Sequence, residues 1–107
     1  MSARIFAPAE ARIIAIWNYT LDRWGEEQAD HYIRGLIDHI HSLEYRRDRW
    51  RPVSDECLRG VWFVRHERHY VFFRELSCGA VGVITVLHES MDLPSRLKED
   101  HGLAGDD

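Results

Sequence analysis

His66-Glu67-Arg68-His69 sets two imidazoles and a carboxylate within four positions, a combination suited to metal binding or proton transfer. The zinc motif H-E-x-x-H needs its histidines four apart on a helix. Here they stand three apart around a predicted hairpin, and side chains three apart on a strand face opposite ways. No metal site is expected. His39 and His41 are two apart on a predicted helix, about 200° from each other, and read as a polar-face pair. His31 and His101 have no ligand-type neighbours.

Arg65, Arg74, His88 and Glu89 fall on adjacent predicted strands or at their ends. Guanidinium groups can stabilise a phosphorane, and His or Glu can move a proton. Each has a structural reading too. Arg65 and Arg74 suit a sheet surface, His88 a hydrogen-bonded strand terminus, and neither spacing nor charge compels catalysis. No catalytic residue is assigned, therefore, unless the chain cleaves RNA, in which case these four are the candidates. The chain has no Gly-rich phosphate loop, no G-x-S-x-G elbow and no CxxC pair, so no cofactor is expected. Cys57 and Cys78 read as reduced, structural thiols.

The elements that must position these residues follow from periodicity. Ala3 to Phe6 is a short extended piece ending before Pro8, whose fixed φ suits a first helical turn. Ile13, Ile14, Trp17, Leu21 and Trp24 recur at helical spacing until Gly25 stops the run. Ala29, Ile33, Leu36, Ile40 and Leu43 define a second helix, with Tyr32 and Ile37 widening its stripe. The two form an antiparallel hairpin presenting one apolar surface.

After Pro52 come three β-branched and aromatic runs, Leu58 to His66, Tyr70 to Leu76 and Ala80 to His88. Their short gaps permit only hairpins, giving an antiparallel meander that the first strand can join. The fold is thus α+β: a short N-terminal strand, a helix hairpin, a three-stranded meander and a short C-terminal helix. Both faces of the strands are apolar, yet two helices cover one face only. The second face, with Trp62 as a member, is covered either by another chain or by the C-terminal segment. Asp92 and Pro94 mark the start of a last short helix through Ser95 to Lys98, with Asp92 as its N-cap. Residues 1–99 read as one domain and 100–107 as a flexible tail.

The 107 residues suffice for one core, and the aromatic content marks a globular chain. With 14 Lys plus Arg against 18 Asp plus Glu, the net charge is -4, so strong direct binding of nucleic acid is not expected. The longest basic run, Arg46-Arg47 with Arg49 and Arg51, is broken by Asp48 and Trp50 and reads as a solvated loop. Neither a membrane span nor a signal peptide is seen, so a cytoplasmic location is expected.

Several motifs, in order, resemble the RelE/ParE toxin superfamily, and its ParE branch above all. Ile16-Trp17-Asn18-Tyr19-Thr20, then Arg23-Trp24-Gly25-Glu26-Glu27-Gln28-Ala29 and Tyr32, resemble the ParE pattern of a helix, a Gly turn and an Ala-x-x-Tyr opening. His69-Tyr70-Val71-Phe72-Phe73-Arg74 is similar to the aromatic central strand. Val86-Leu87-His88-Glu89-Ser90-Met91-Asp92 resembles the closing strand with its L-H-x-x-M-D signature. The match spans about residues 3 to 98. Two positions depart from it: Trp62 stands where members carry the Arg of a Gly-x-Arg, and Arg12 where an Asp precedes the apolar pair.

The resemblance implies the toxin of a type II toxin–antitoxin module of the plasmid-stabilising kind, neutralised by a ParD-like antitoxin. ParE-type toxins inhibit DNA gyrase by binding, whereas RelE-type toxins are ribosome-dependent mRNA endonucleases. The acidic chain favours the gyrase inhibitor over an enzyme. The endonuclease is the alternative, and an inactive relative retained for antitoxin binding is the third reading. Trp17, Trp24, Trp62 and Arg74 are the expected antitoxin anchors.

Overall fold

The computed structural model describes residues 3–104. Strand β1, Ala3–Ile5, leads into helix α1, Ala7–Trp24, which carries Pro8 in its first turn. Gly25, at φ +93°, turns the chain directly into helix α2, Glu26–Ser42. Strands β2 (Arg51–Pro52), β3 (Val61–His66), β4 (His69–Glu75) and β5 (Val81–His88) follow, and helix α3, Leu93–Leu103, closes the described chain. The strands form one sheet in the order β1-β5-β4-β3-β2, antiparallel except for the parallel pairing of β1 with β5.

The α1–α2 hairpin lies on one face. Ala9, Leu36, Ile40 and Leu43 pack there on Val64, Val71, Phe73, Val81, Val83 and Val86, with Ile13 and Ile16 beside them. Ile14 and Trp24, expected in the apolar stripe of α1, stand 55% and 70% exposed. The core face of α1 is therefore the one bearing Ala9, Ile13 and Ile16, rotated from the stripe the aromatic spacing suggested.

On the second face Leu58, Val61, Phe72, Ile84 and Leu87 pack with Leu97 of α3. Of the two covers expected there, the C-terminal segment is the one observed. A bulge between the β4 and β5 registers, where Phe72 pairs with Thr85 but Phe73 with Val83, makes this possible. It reverses the alternation of β5, so that Ile84 packs in the second core and Thr85 bonds to α3, while Val83 and Val86 face the hairpin.

Five expectations need correction. Trp62 lies on the hairpin face, half-buried against Trp50 at 5.7 Å between ring centroids, and not on the second face. The basic run ends in a fifth strand, because Arg51 and Pro52 pair with Phe63 and Trp62. Helix α3 continues five residues beyond Lys98, and Asp100, assigned to a flexible tail, is buried; positions 105–107 of that tail lie outside the described residues. Asp92 occupies the N-cap position of α3 without a side-chain capping bond. Cys57 and Cys78 are exposed free thiols, so neither serves packing.

Candidate functional site

Arg65 and Glu89 do meet, through Arg65 Nη2 donating to Glu89 Oε1 at 2.7 Å, and Arg68 Nη1 donates to the other carboxylate oxygen at 3.3 Å. Arg65 Nε also donates to the Glu67 carbonyl oxygen at 2.7 Å. Beside them His88 Nδ1 accepts the Ser90 amide at 3.0 Å and lies 2.7 Å from its Oγ. Arg74 does not join this group. His69 pairs with His88, but Arg74 pairs with Gly82, five residues along β4, a displacement of about 17 Å at the rise of a strand. Its guanidinium lies over the Phe6 ring at 5.2 Å, and that of Arg4 lies over the same ring at 5.0 Å. Phe6 reaches that position because Gly82 has no side chain: a Cβ there would come within 2.8 Å of the Phe6 ring.

The histidines converge in a way their spacing concealed. His66 and His69 close the β3–β4 hairpin as a directly opposed pair, and opposed residues share a sheet face. That face meets α2. Tyr32 Oη lies 2.6 Å from His69 Nδ1, and His39 Nδ1 lies 3.0 Å from His66 Nδ1, so His39 is part of the packing and not only of a polar face. His69 also makes an edge contact with His88 at 5.1 Å.

Desolvation sets the charge of this cluster. Burial, with the neighbouring imidazoles His88 and His66, pushes His69 down to about 4; burial also lowers His66 and, with His66 and Arg49, lowers His39. Burial raises the Tyr32 phenol to about 12, aided by Glu67. At neutral pH Tyr32 keeps its hydroxyl proton and His69 is neutral, and the same hydroxyl also reaches the His66 carbonyl oxygen at 3.4 Å. Buried His66 Nε2 has no hydrogen-bond partner among the described residues, with Glu67 Oε2 3.9 Å away.

The four expected anchors divide between surfaces. Trp24 is exposed on α1, and half-buried Trp17 donates its Nε1 hydrogen to Asp30 Oδ1 on α2 at 3.0 Å. Together with Ile14 and Leu21 they form a stripe at three- and four-residue spacing beside the hairpin seam. Trp62 is under Trp50, and Arg74 is against Phe6.

Two grooves were missed from sequence. One, about 420 Å³, lies between the sheet and α3 and is lined by Val53, Leu58, Phe63, Tyr70, Phe72 and Leu97. The other, about 900 Å³, wraps the outer edge of β3 and is lined by His39, Arg49, Trp50, Arg51, Arg65 and Tyr70 among others. The only sequence signal for the second was the Arg-rich run before Pro52.

A family model described as "ParE toxin of type II toxin-antitoxin system, parDE" matches residues 4–93. Toxin ParE1 of Mycobacterium tuberculosis is 34% identical over 99 residues, covering 91% of this chain and all of that protein. Toxin ParE of Escherichia coli is 34% identical, covering 87% and 89% of the two chains, and toxin ParE1 of Caulobacter vibrioides is 36% identical, covering 88% and 95%. Among solved structures, a chain of the chromosomal ParDE system from P. aeruginosa superposes with a TM-score of 0.68 at 18% identity, covering 82% of this chain and 95% of that one. A chain of the toxin–antitoxin complex RelBE2 from M. tuberculosis gives 0.59 at 15% identity, covering 81% and 95%, a likeness of fold.

Proposed function

Because the chain belongs to the ParE toxin family of type II toxin–antitoxin systems, we propose that it inhibits DNA gyrase by binding it in the cytoplasm and is neutralised by a ParD-like antitoxin. The observation carrying this reading is the division of the basic residues. For Arg65, Arg74, His88 and Glu89 to cleave RNA, uncommitted cations and a proton carrier would have to gather around one phosphate. Arg65 is bonded to Glu89 at 2.7 Å, and Arg74 stands about 17 Å away along β4 on the strand-rise estimate. Binding needs apolar surface, which the exposed Trp24 and Ile14 of α1 supply. The solved ParDE and RelBE2 systems, toxin–antitoxin assemblies of the same fold, support an antitoxin as the partner that covers such surface.

Purified toxin, gyrase and plasmid DNA, assayed for supercoiling and cleavage beside ribosome-programmed mRNA, test the proposal. Accumulating linear plasmid with intact mRNA is the expected result. Cleaved mRNA with normal supercoiling would replace gyrase by the ribosome as the target, and silence in both would leave an inactive relative that binds its antitoxin.

A further inference from the structure

Strand β3 is paired on its outer side only over its first half. Val53 N–H donates to the Val61 carbonyl at 3.0 Å, and Arg51 pairs with Phe63. The chain before Arg51 turns away in the 3-10 turn Arg47–Arg49 instead of continuing opposite Arg65. Antiparallel strands direct the N–H and C=O of alternate residues to the same side. Val61 and Phe63 face β2, so the main-chain N–H and C=O of Arg65 face outward with no strand beside them. One seat of the sheet is vacant.

The side chains around that seat carry a consistent charge. Arg49 and Arg51 both line the groove and are exposed, and neither has an ion-pair partner among the described residues. The Arg65 guanidinium is already held by Glu89. His39, whose pKa is lowered, adds a neutral wall. Asp48 is the one acidic lining residue and sits 3.9 Å from Arg46. Trp50 and Val64 contribute from the hairpin side, Phe63 and Tyr70 from the other. A groove lined from both faces of a sheet is the space that an added strand would fill.

We propose that this groove receives an extended, acidic segment of a partner protein, which adds a short strand at Arg65 and sets carboxylates against Arg49 and Arg51. A phosphate chain would satisfy the guanidinium groups, but its oxygens only accept hydrogen bonds and so offer nothing to the outward Arg65 carbonyl. A polypeptide supplies both, with main-chain bonds giving affinity and side-chain charge giving selectivity. The inference rests on the reading that a partner protein holds the toxin, and it names the chemistry of the docking segment.

An end-capped, fluorescein-labelled peptide alternating Glu with Val or Thr, titrated into the full chain by fluorescence anisotropy, tests this without antitoxin or gyrase. The expected result is saturable binding, weakened about tenfold or more by Arg49→Ala with Arg51→Ala, with slowed hydrogen exchange at the Arg65 amide. Neither arginine takes part in the packed cores, so the variant stays folded, checked by its circular dichroism. A Gln-for-Glu peptide of equal affinity, an unchanged Arg65 amide, or no binding would overturn the proposal. Oligouridylate displacing the peptide without protecting that amide would overturn it in favour of a phosphate groove. The gyrase assay is scored separately, so failure of one reading does not imply failure of the other.

Discussion

Arg12 of α1 and Asp100 of α3 are 88 positions apart in the chain, and Arg12 Nε donates to Asp100 Oδ2 at 2.9 Å. The same oxygen accepts the Thr85 hydroxyl at 2.7 Å. Strand β1 pairs only with Val81 to Val83, so Thr85 lies past the last paired rung, where the two helices can reach each other. The pair thus ties α3 to the hairpin layer. The Asp100 side chain is 6% exposed and that of Arg12 24%.

Loss of either partner should be unequal in cost. Arg12→Ala leaves a carboxylate buried with one hydroxyl for company and should destabilise by about 3 kcal/mol. Asp100→Asn keeps an acceptor for Thr85 and leaves a guanidinium that can turn to solvent, for about 1 to 2 kcal/mol. Urea denaturation of both variants measures the difference. Equal, negligible costs would mean the pair is a surface contact in effect.

Trp50 carries a second such asymmetry. Its ring packs edge-on against Phe73 at 4.9 Å, and its Nε1 hydrogen bonds the Leu43 carbonyl at 2.9 Å where α2 has ended. Trp50→Ala should cost about 3 kcal/mol and Trp50→Phe about 1 kcal/mol, since phenylalanine fills the space but cannot satisfy the carbonyl. Thermal melts that place the two variants together would remove the hydrogen bond from this account.

Trp50 also shows where the sequence stops being legible. Helices and strands announce themselves by period, and α1, α2 and the meander were readable from Ile33, Leu36 and Ile40 or from Val71 and Phe73. A lone aromatic among arginines has no period. Nor does sequence number the residues in a bulge, and the shift at Ile84 decides what β5 offers to α3. The His66–His69 pairing is hidden in the sequence because strand alternation does not carry across a turn, after which opposed residues share a face. Asp100 looks like tail in the sequence because its partners, Arg12 and Thr85, are distant along the chain.

The histidine cluster gives stability a pH dependence. His39, His66 and His69 are all lowered in the fold, so the unfolded chain binds more protons as pH falls below 6.5. Their contribution is complete above that value and is lost on the way down towards about 4, the value of His69. Glu67 and Glu89 oppose the shifts, while His88 and Arg49 reinforce them. Urea midpoints should therefore drop between pH 7 and pH 5, and His66→Gln with His69→Gln should flatten the profile over that interval. An unaltered slope in the double variant would assign the dependence to carboxylates elsewhere.

The last prediction separates binding from folding among the tryptophans. Trp24 is 70% exposed on α1 and appears in neither core, so Trp24→Ala should leave the denaturation midpoint unchanged. If the proposed antitoxin seats on the stripe of Ile14, Trp17, Leu21 and Trp24, the same substitution should weaken its binding by about 2 kcal/mol, or roughly 30-fold. Trp62 behaves in the opposite way. It is packed against the hairpin-side core and beneath Trp50, so Trp62→Ala should cost about 2 kcal/mol of stability. Any loss of affinity there follows from a loosened sheet. Calorimetric titration with the antitoxin and parallel urea melts read the two quantities independently. Full affinity in Trp24→Ala and in Trp17→Ala would remove the α1 stripe from the antitoxin interface and leave the groove beneath α3 and the β3 edge to account for it.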